Sequence, residues 1–182
     1  MEKHIGYHGT DKYKYELIKQ HGFRTTAKSG KLPRDLGDGV YFFIQHNDLS
    51  DPVDNVKKYL KRYKSSFKEP SILEATCESD NVLNMNEASN AQWFISFKES
   101  NADLIFDEAK KMDRNNSLTR GNLDGLVIET LLRKINYFPD AIIKDTYTAF
   151  DPIPNYKISN FSNGRELCIR NIKIIKNICL IA

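Results

Sequence analysis

The stretch IGYHGTDKYKYELIKQHGF, residues 5–23, reads as a strand, a cap, a helix and a stop. Ile5-Gly6-Tyr7-His8-Gly9 is a short apolar strand, expected to end at Gly9 because Thr10 and Asp11 are residue types whose side-chain oxygens cap helix N-termini. Tyr13, Leu17 and Ile18 continue the helix. Gly22 stops it, and Phe23 is placed to pack back as the hydrophobic partner of a glycine C-cap.

Thr25 to Gly37 is rich in Lys, Gly, Ser and Pro and reads as a loop, from which the strand Gly39-Val40-Tyr41-Phe42-Phe43-Ile44 emerges. Asp51-Pro52 opens a second helix with an N-cap and a proline in the first turn, and Val53, Val56, Leu60 and Tyr63 fall on one face. Lys57, Lys58, Lys61, Arg62, Lys64 and Lys68 crowd the rest, which fits either a solvated face or a surface that meets a polyanion. A strand is expected over Ile72 to Cys77. Asn86 to Met112 reads as helical with a break near Ser100-Asn101, and its candidate core positions are Ala91, Phe94, Phe97, Leu104, Ile105 and Ala109. Asn122-Leu123-Asp124-Gly125 is expected to be a turn feeding a strand from Leu126 to Glu129, and Asp151 to Asn155 a proline-rich loop. Strands over Leu167 to Arg170 and Ile178 to Ile181 close the chain. Strands at the two ends and helices in the middle make an α+β pattern, not a doubly wound one.

With 182 residues, 40% of them hydrophobic, the chain has enough apolar surface for one core, and we read residues 1–182 as a single domain. No segment has the apolar length of a signal peptide or a membrane span, so no membrane partner and a cytoplasmic location are expected. Cys77, Cys168 and Cys179 sit in or beside apolar runs without C-x-x-C spacing and are expected to be reduced, buried thiols, with no metal site. A formal net charge of +3 does not by itself mark a nucleic-acid binder.

The usual nucleotide loops are absent: Gly30-Lys31 lacks a following Ser or Thr, and Gly37-Asp38-Gly39 enters a strand, whereas a dinucleotide fingerprint opens a helix. Three separated features remain. Tyr7-His8-Gly9-Thr10 presents a histidine at a strand end beside a glycine whose missing Cβ lets a ligand come near the backbone, although such a histidine is as readily structural. Leu36-Gly37-Asp38-Gly39-Val40-Tyr41-Phe42 is a flexible loop that delivers an aromatic ring, or else ordinary core packing. Asn163-Gly164-Arg165-Glu166-Leu167-Cys168-Ile169-Arg170 sets a carboxylate at the mouth of an apolar strand, where a solvated glutamate is the plain alternative.

In this order the three features resemble the His-Tyr-Glu class of ADP-ribosyltransferases, the group of diphtheria-type toxins and poly(ADP-ribose) polymerases, over most of the chain. The resemblance implies a split β-sheet core and NAD as co-substrate, without a metal. It implies that His8 holds the adenosine-side ribose, that the Gly9 backbone pairs with the nicotinamide carboxamide, that Tyr41 stacks on the pyridinium ring and that Glu166 bonds the ribose 2′-OH. His8, Tyr41 and Glu166 are the catalytic candidates, and His8, Gly9, Thr10, Gly39, Tyr41 and Phe42 the candidate NAD-binding residues. Phe43, Thr25 and Lys31 are further candidates for the donor pocket, and Glu129 is the second candidate carboxylate unless it only braces a loop. Position 164 is glycine, so the E-x-E pattern of arginine-modifying toxins is absent. A macromolecular acceptor, nucleic acid or protein, is expected. By fold-level analogy, a toxin or defence effector held by an antitoxin is expected as well. The alternatives are an NAD glycohydrolase on the same site and a non-catalytic module that binds nucleic acid or a partner through the basic helix 53–68.

Overall fold

The computed structural model describes residues 1–25, 32–47, 49–112, 119–150 and 159–182. In chain order the elements are β1 (Glu2–Asp11), α1 (Lys12–His21), β2 (Val40–Ile44), α2 (Pro52–Tyr63), β3 (Pro70–Ser79), β4 (Val82–Asn84), α3 (Ala88–Ser100), α4 (Ala102–Met112), α5 (Arg120–Lys134), β5 (Ala141–Thr146), β6 (Gly164–Ile169), a 3₁₀ turn (Ile172–Ile174) and β7 (Ile175–Leu180). The fold is α+β. Its strands form a seven-stranded mixed sheet in the order β4-β5-β6-β2-β1-β3-β7, in which only β4 and β5 run parallel.

The sheet has a seam. β1 pairs with β3 along its whole length, from Glu2↔Ser79 to Asp11↔Pro70, but meets β2 only at Gly6↔Ile44 and Tyr7↔Phe43. His8 follows directly where that pairing stops. The strands therefore make one hydrogen-bonded sheet with a narrow join at its middle.

One face of the sheet carries Val40, Phe42, Ile44, Leu73, Ala75, Cys77, Leu167 and Ile169, which form a single buried cluster with Phe23, Tyr15 and Ile18 against it. α1 is held by the Asp11 side chain, which accepts from the Tyr13 amide, and ends at Gly22 with φ 73°. β1 thus runs on through Asp11 and does not end at Gly9, because β3 continues to offer a backbone partner. The opposite face is covered in two places. Val56 and Leu60 of α2 pack on Phe43 and Ile72, while Ile128 and Leu132 of α5 pack on Ile142 and Cys168. The strip of sheet between the two coverings, bearing Tyr41, Phe43 and Glu166, borders an open cleft.

Several expectations need correction. Residues 122–129 belong to the helix α5, capped by Thr119, and not to a turn and a strand. The apolar run persists through Leu131 and Leu132, too long for the short strand supposed, and Gly125 is a glycine inside the helix, where a Cβ would come 1.6 Å from the Arg34 carbonyl oxygen. The break at Ser100-Asn101 is found between α3 and α4, with Ile105 and Ala109 buried, but Leu104 is exposed. Cys77 and Cys168 are buried, whereas Cys179 lies exposed on the edge strand β7. The proline-rich loop at 151–155 and Lys31 lie outside the described residues. Among the described residues no helix is long and apolar enough to cross a membrane.

Candidate functional site

The cleft at the seam encloses about 1020 Å³ and is bordered by His8, Gly9, Thr10, Tyr41, Phe42 and Glu166. Three features far apart in sequence are thus brought to one place. Gly39 and Thr25 do not border it. Gly39 serves packing instead, since a Cβ there would lie 2.5 Å from Cys168 Sγ and 2.6 Å from the Ile169 carbonyl oxygen.

His8 stands just past the last β1–β2 register pair, and its ring takes over from the backbone ladder: Nδ1 lies 2.8 Å from the Tyr41 carbonyl oxygen. A carbonyl only accepts, so Nδ1 carries the proton and Nε2 is left as a lone-pair acceptor. Phe23 and Phe42 hold the ring, with centroids at 5.3 Å and 5.5 Å. Burial pushes the imidazole below its ordinary range, and the nearby Arg34, Lys64 and Lys14 charges push the same way. The neutral imidazole is therefore the resting form. Beside it, Gly9 is glycine because α2 needs the space: a Cβ would come 2.9 Å from Leu60.

Tyr41 is fixed through its hydroxyl, which donates to the Gly37 carbonyl at 2.8 Å and accepts from the Leu36 amide at 3.0 Å. The described part of the loop that carries it is tethered at several points. Asn122 Nδ2 donates to the Pro33 carbonyl, and Glu129 accepts from the Asp38 amide at 2.8 Å while pairing with Arg170. Gly37 has φ 86°, and a Cβ there would strike Glu129. Glu129 is outside the cleft and braces the loop. The Arg34 guanidinium lies 5.3 Å from the centroid of the Tyr41 ring, an arrangement in which the ring already faces a flat cation.

Glu166 is the third residue of β6, opposite Phe43 on β2 and Lys144 on β5. Burial pushes its carboxyl up to about 8, helped by the charge of Asp35; the Thr146 hydroxyl and Arg34 oppose the shift. Asp35, also on the cleft wall, is raised by burial as well. Two half-buried carboxyl groups thus stand on one cleft wall and resist ionising together. Gly164, two residues before Glu166, is buried beneath α2, and a Cβ would come 2.8 Å from Asn55 Nδ2. A larger residue there would have to displace the Asn55 side chain.

Sequence reasoning missed Asp35 and Arg34, which looked like ordinary loop polarity, and the aromatic wall made by Tyr59 and Tyr63. Tyr63 was expected on the apolar face of α2; it is 46% exposed, and its hydroxyl donates to the Ala149 carbonyl at 2.8 Å. Its i, i+4 spacing from Tyr59 was the available signal. Comparisons with protein-family models, curated proteins and solved structures found no match.

Proposed function

We propose that the chain is an NAD-dependent ADP-ribosyltransferase with a split-sheet transferase fold, acting on a macromolecular acceptor. The observation that carries this reading is the convergence of His8, Tyr41 and Glu166 on one cleft at the seam of the sheet. The sheet order, with the histidine strand beside the tyrosine strand and the glutamate strand on the far side of it, supports the same reading. NAD would supply a glycosidic bond to a cationic pyridine, a leaving group that departs neutral and needs little acid help.

The residues present suit that substrate. His8 Nε2, unprotonated, accepts a hydrogen bond from a ribose hydroxyl. Tyr41, held at its hydroxyl, offers a rigid aromatic face to a flat cation once the Arg34 side chain swings aside toward the pyrophosphate. Glu166 accepts from the ribose 2′-OH and places negative charge beside the carbon that becomes positive. A cation in the cleft favours the carboxylate by Coulomb attraction, so arrival of the substrate helps to ionise a group that burial otherwise keeps neutral.

Nicotinamide release from NAD, measured with and without total RNA, DNA and lysate protein, tests the reading. Release that an acceptor accelerates, with radiolabelled ADP-ribose recovered on that acceptor, supports transfer. Release that no acceptor changes makes the protein a glycohydrolase. No release under any condition leaves a binding module.

A further inference from the structure

Beyond Glu166 and Tyr41 the cleft continues along the C-terminal half of α2, and its character changes. Lys14 of α1, Arg34, and Arg62 and Lys64 at the end of α2 all border it. Among the described residues none of these four cations is in an ion pair, although elsewhere Lys57, Lys98, Lys111, Arg165 and Arg170 are paired. A single pyrophosphate in NAD does not match so many unpaired cations on one wall. Aromatic rings are interleaved with them. Tyr59 and Tyr63 lie with centroids 5.3 Å apart and planes inclined at 37°, Lys64 sits 5.9 Å over Tyr59, and Lys14 sits 4.7 Å over Phe67.

Alternating cations and exposed ring faces bind single-stranded nucleic acid: the charges follow the phosphates, and unpaired bases stack on the rings. A duplex hides its base faces, whereas an unpaired strand offers both flat partners for Tyr63 and a line of phosphates for the cations beside it. We propose that the α2 wall is the acceptor track and that the acceptor is single-stranded nucleic acid, with a base or ribose led toward Glu166. This rests on the transferase reading above, which the test below keeps separate.

Fluorescence anisotropy of a labelled twelve-nucleotide strand, as RNA and as DNA, against the 182-residue Glu166→Gln protein without NAD measures the track apart from any chemistry. Four phosphate contacts give a log–log salt slope of about −3 for a single strand, or about fiftyfold weaker binding between about 50 and 200 mM salt. Tyr63→Ala should weaken binding about tenfold, while Tyr63→Phe, which keeps the ring, should bind as the parent does. Because Tyr63 is half exposed, the alanine variant is expected to fold, and its melting curve checks this. Tighter binding of RNA or of DNA identifies the source, and equal binding still supports the track. Polyglutamate displacing the strand as well as unlabelled strand does, or no loss on Tyr63→Ala, would mark an unspecific polyanion patch and overturn the proposal. Nicotinamide release without strand binding overturns it too. Strand binding without nicotinamide release would instead sink the transferase reading and leave the track standing.

Discussion

At the Tyr41 end of the cleft the side chains are tied to the scaffold at several points, whereas along the C-terminal half of α2 the tie among the described residues is the Tyr63 hydroxyl on the Ala149 carbonyl. Tyr41 is bonded to its loop at two points, the loop to α5 and Arg170, and His8 to the backbone of the neighbouring strand. Arg62 and Tyr63 on α2 are exposed, and the Lys64 ammonium has aromatic faces as its neighbours. A group that must meet a developing charge needs a fixed position, because reorganisation at the moment of reaction costs rate. A surface that accepts varied strands needs charge and rings but no single geometry. The difference between the two ends is the one expected between a reacting centre and a binding track.

Releasing the clamp should have the largest effect. Gly125→Ala forces a methyl group into the Arg34 carbonyl, with α5 on one side and the tight 34–37 turn on the other. We expect a loss of about 3 kcal/mol and a melting temperature lower by about 10 °C, read by calorimetry. An unchanged melting temperature would show that the loop is loose after all.

Arg170→Ala removes one partner of a mostly buried ion pair and leaves Glu129 uncompensated, with about 2 to 3 kcal/mol lost in denaturant unfolding. Adding Glu129→Gln should recover part of that loss, since the stranded charge goes with it. A double variant no more stable than the single one would mean that Arg170 acts by packing alone.

Glu166→Gln should shift stability the other way. The folded-state pKa of Glu166 lies near 8, above its ordinary 4.5, so the carboxyl favours the folded protein fully at pH below 4.5 and that contribution is lost as pH rises toward 8. Glutamine does not titrate. The variant should therefore gain on the parent across this window, by about 5 °C in melting temperature at pH 8, with the gap closing near pH 4. A gap that did not depend on pH would contradict the buried, proton-holding site.

The smallest of these effects is expected from His8→Ala, which removes one hydrogen-bond acceptor for the donor's ribose. KM for NAD should rise about tenfold with kcat changed much less, the value of one hydrogen bond to a neutral group. A fall in kcat with KM unchanged would place His8 in the chemical step instead.

Much of this arrangement could be read in the chain itself. β1, α1 with its glycine stop, β2, α2 and β6 each announce themselves by period, cap and punctuation, and they deliver His8, Tyr41 and Glu166. What could not be read depends on tertiary proximity. Gly125 looks like a turn until the Arg34 carbonyl is seen against it, and β5, short and carrying Lys144 and Asp145, gains its burial only between β4 and β6. Asp35 is one acid in a polar loop, and its importance comes from sharing a cleft wall with Glu166 from the far end of the chain.

The central claim is that Glu166, in its ionised form, supports cleavage of the nicotinamide–ribose bond. Nicotinamide release under kcat/KM conditions, followed from pH 6 to 9.5 in the parent and in Glu166→Gln, tests it most directly. The parent rate should rise with pH to a plateau above about 8, and the Glu166→Gln rate should be lower by about two orders of magnitude and flat across the range. Parent and variant releasing nicotinamide at similar rates, or no release from either, would contradict it.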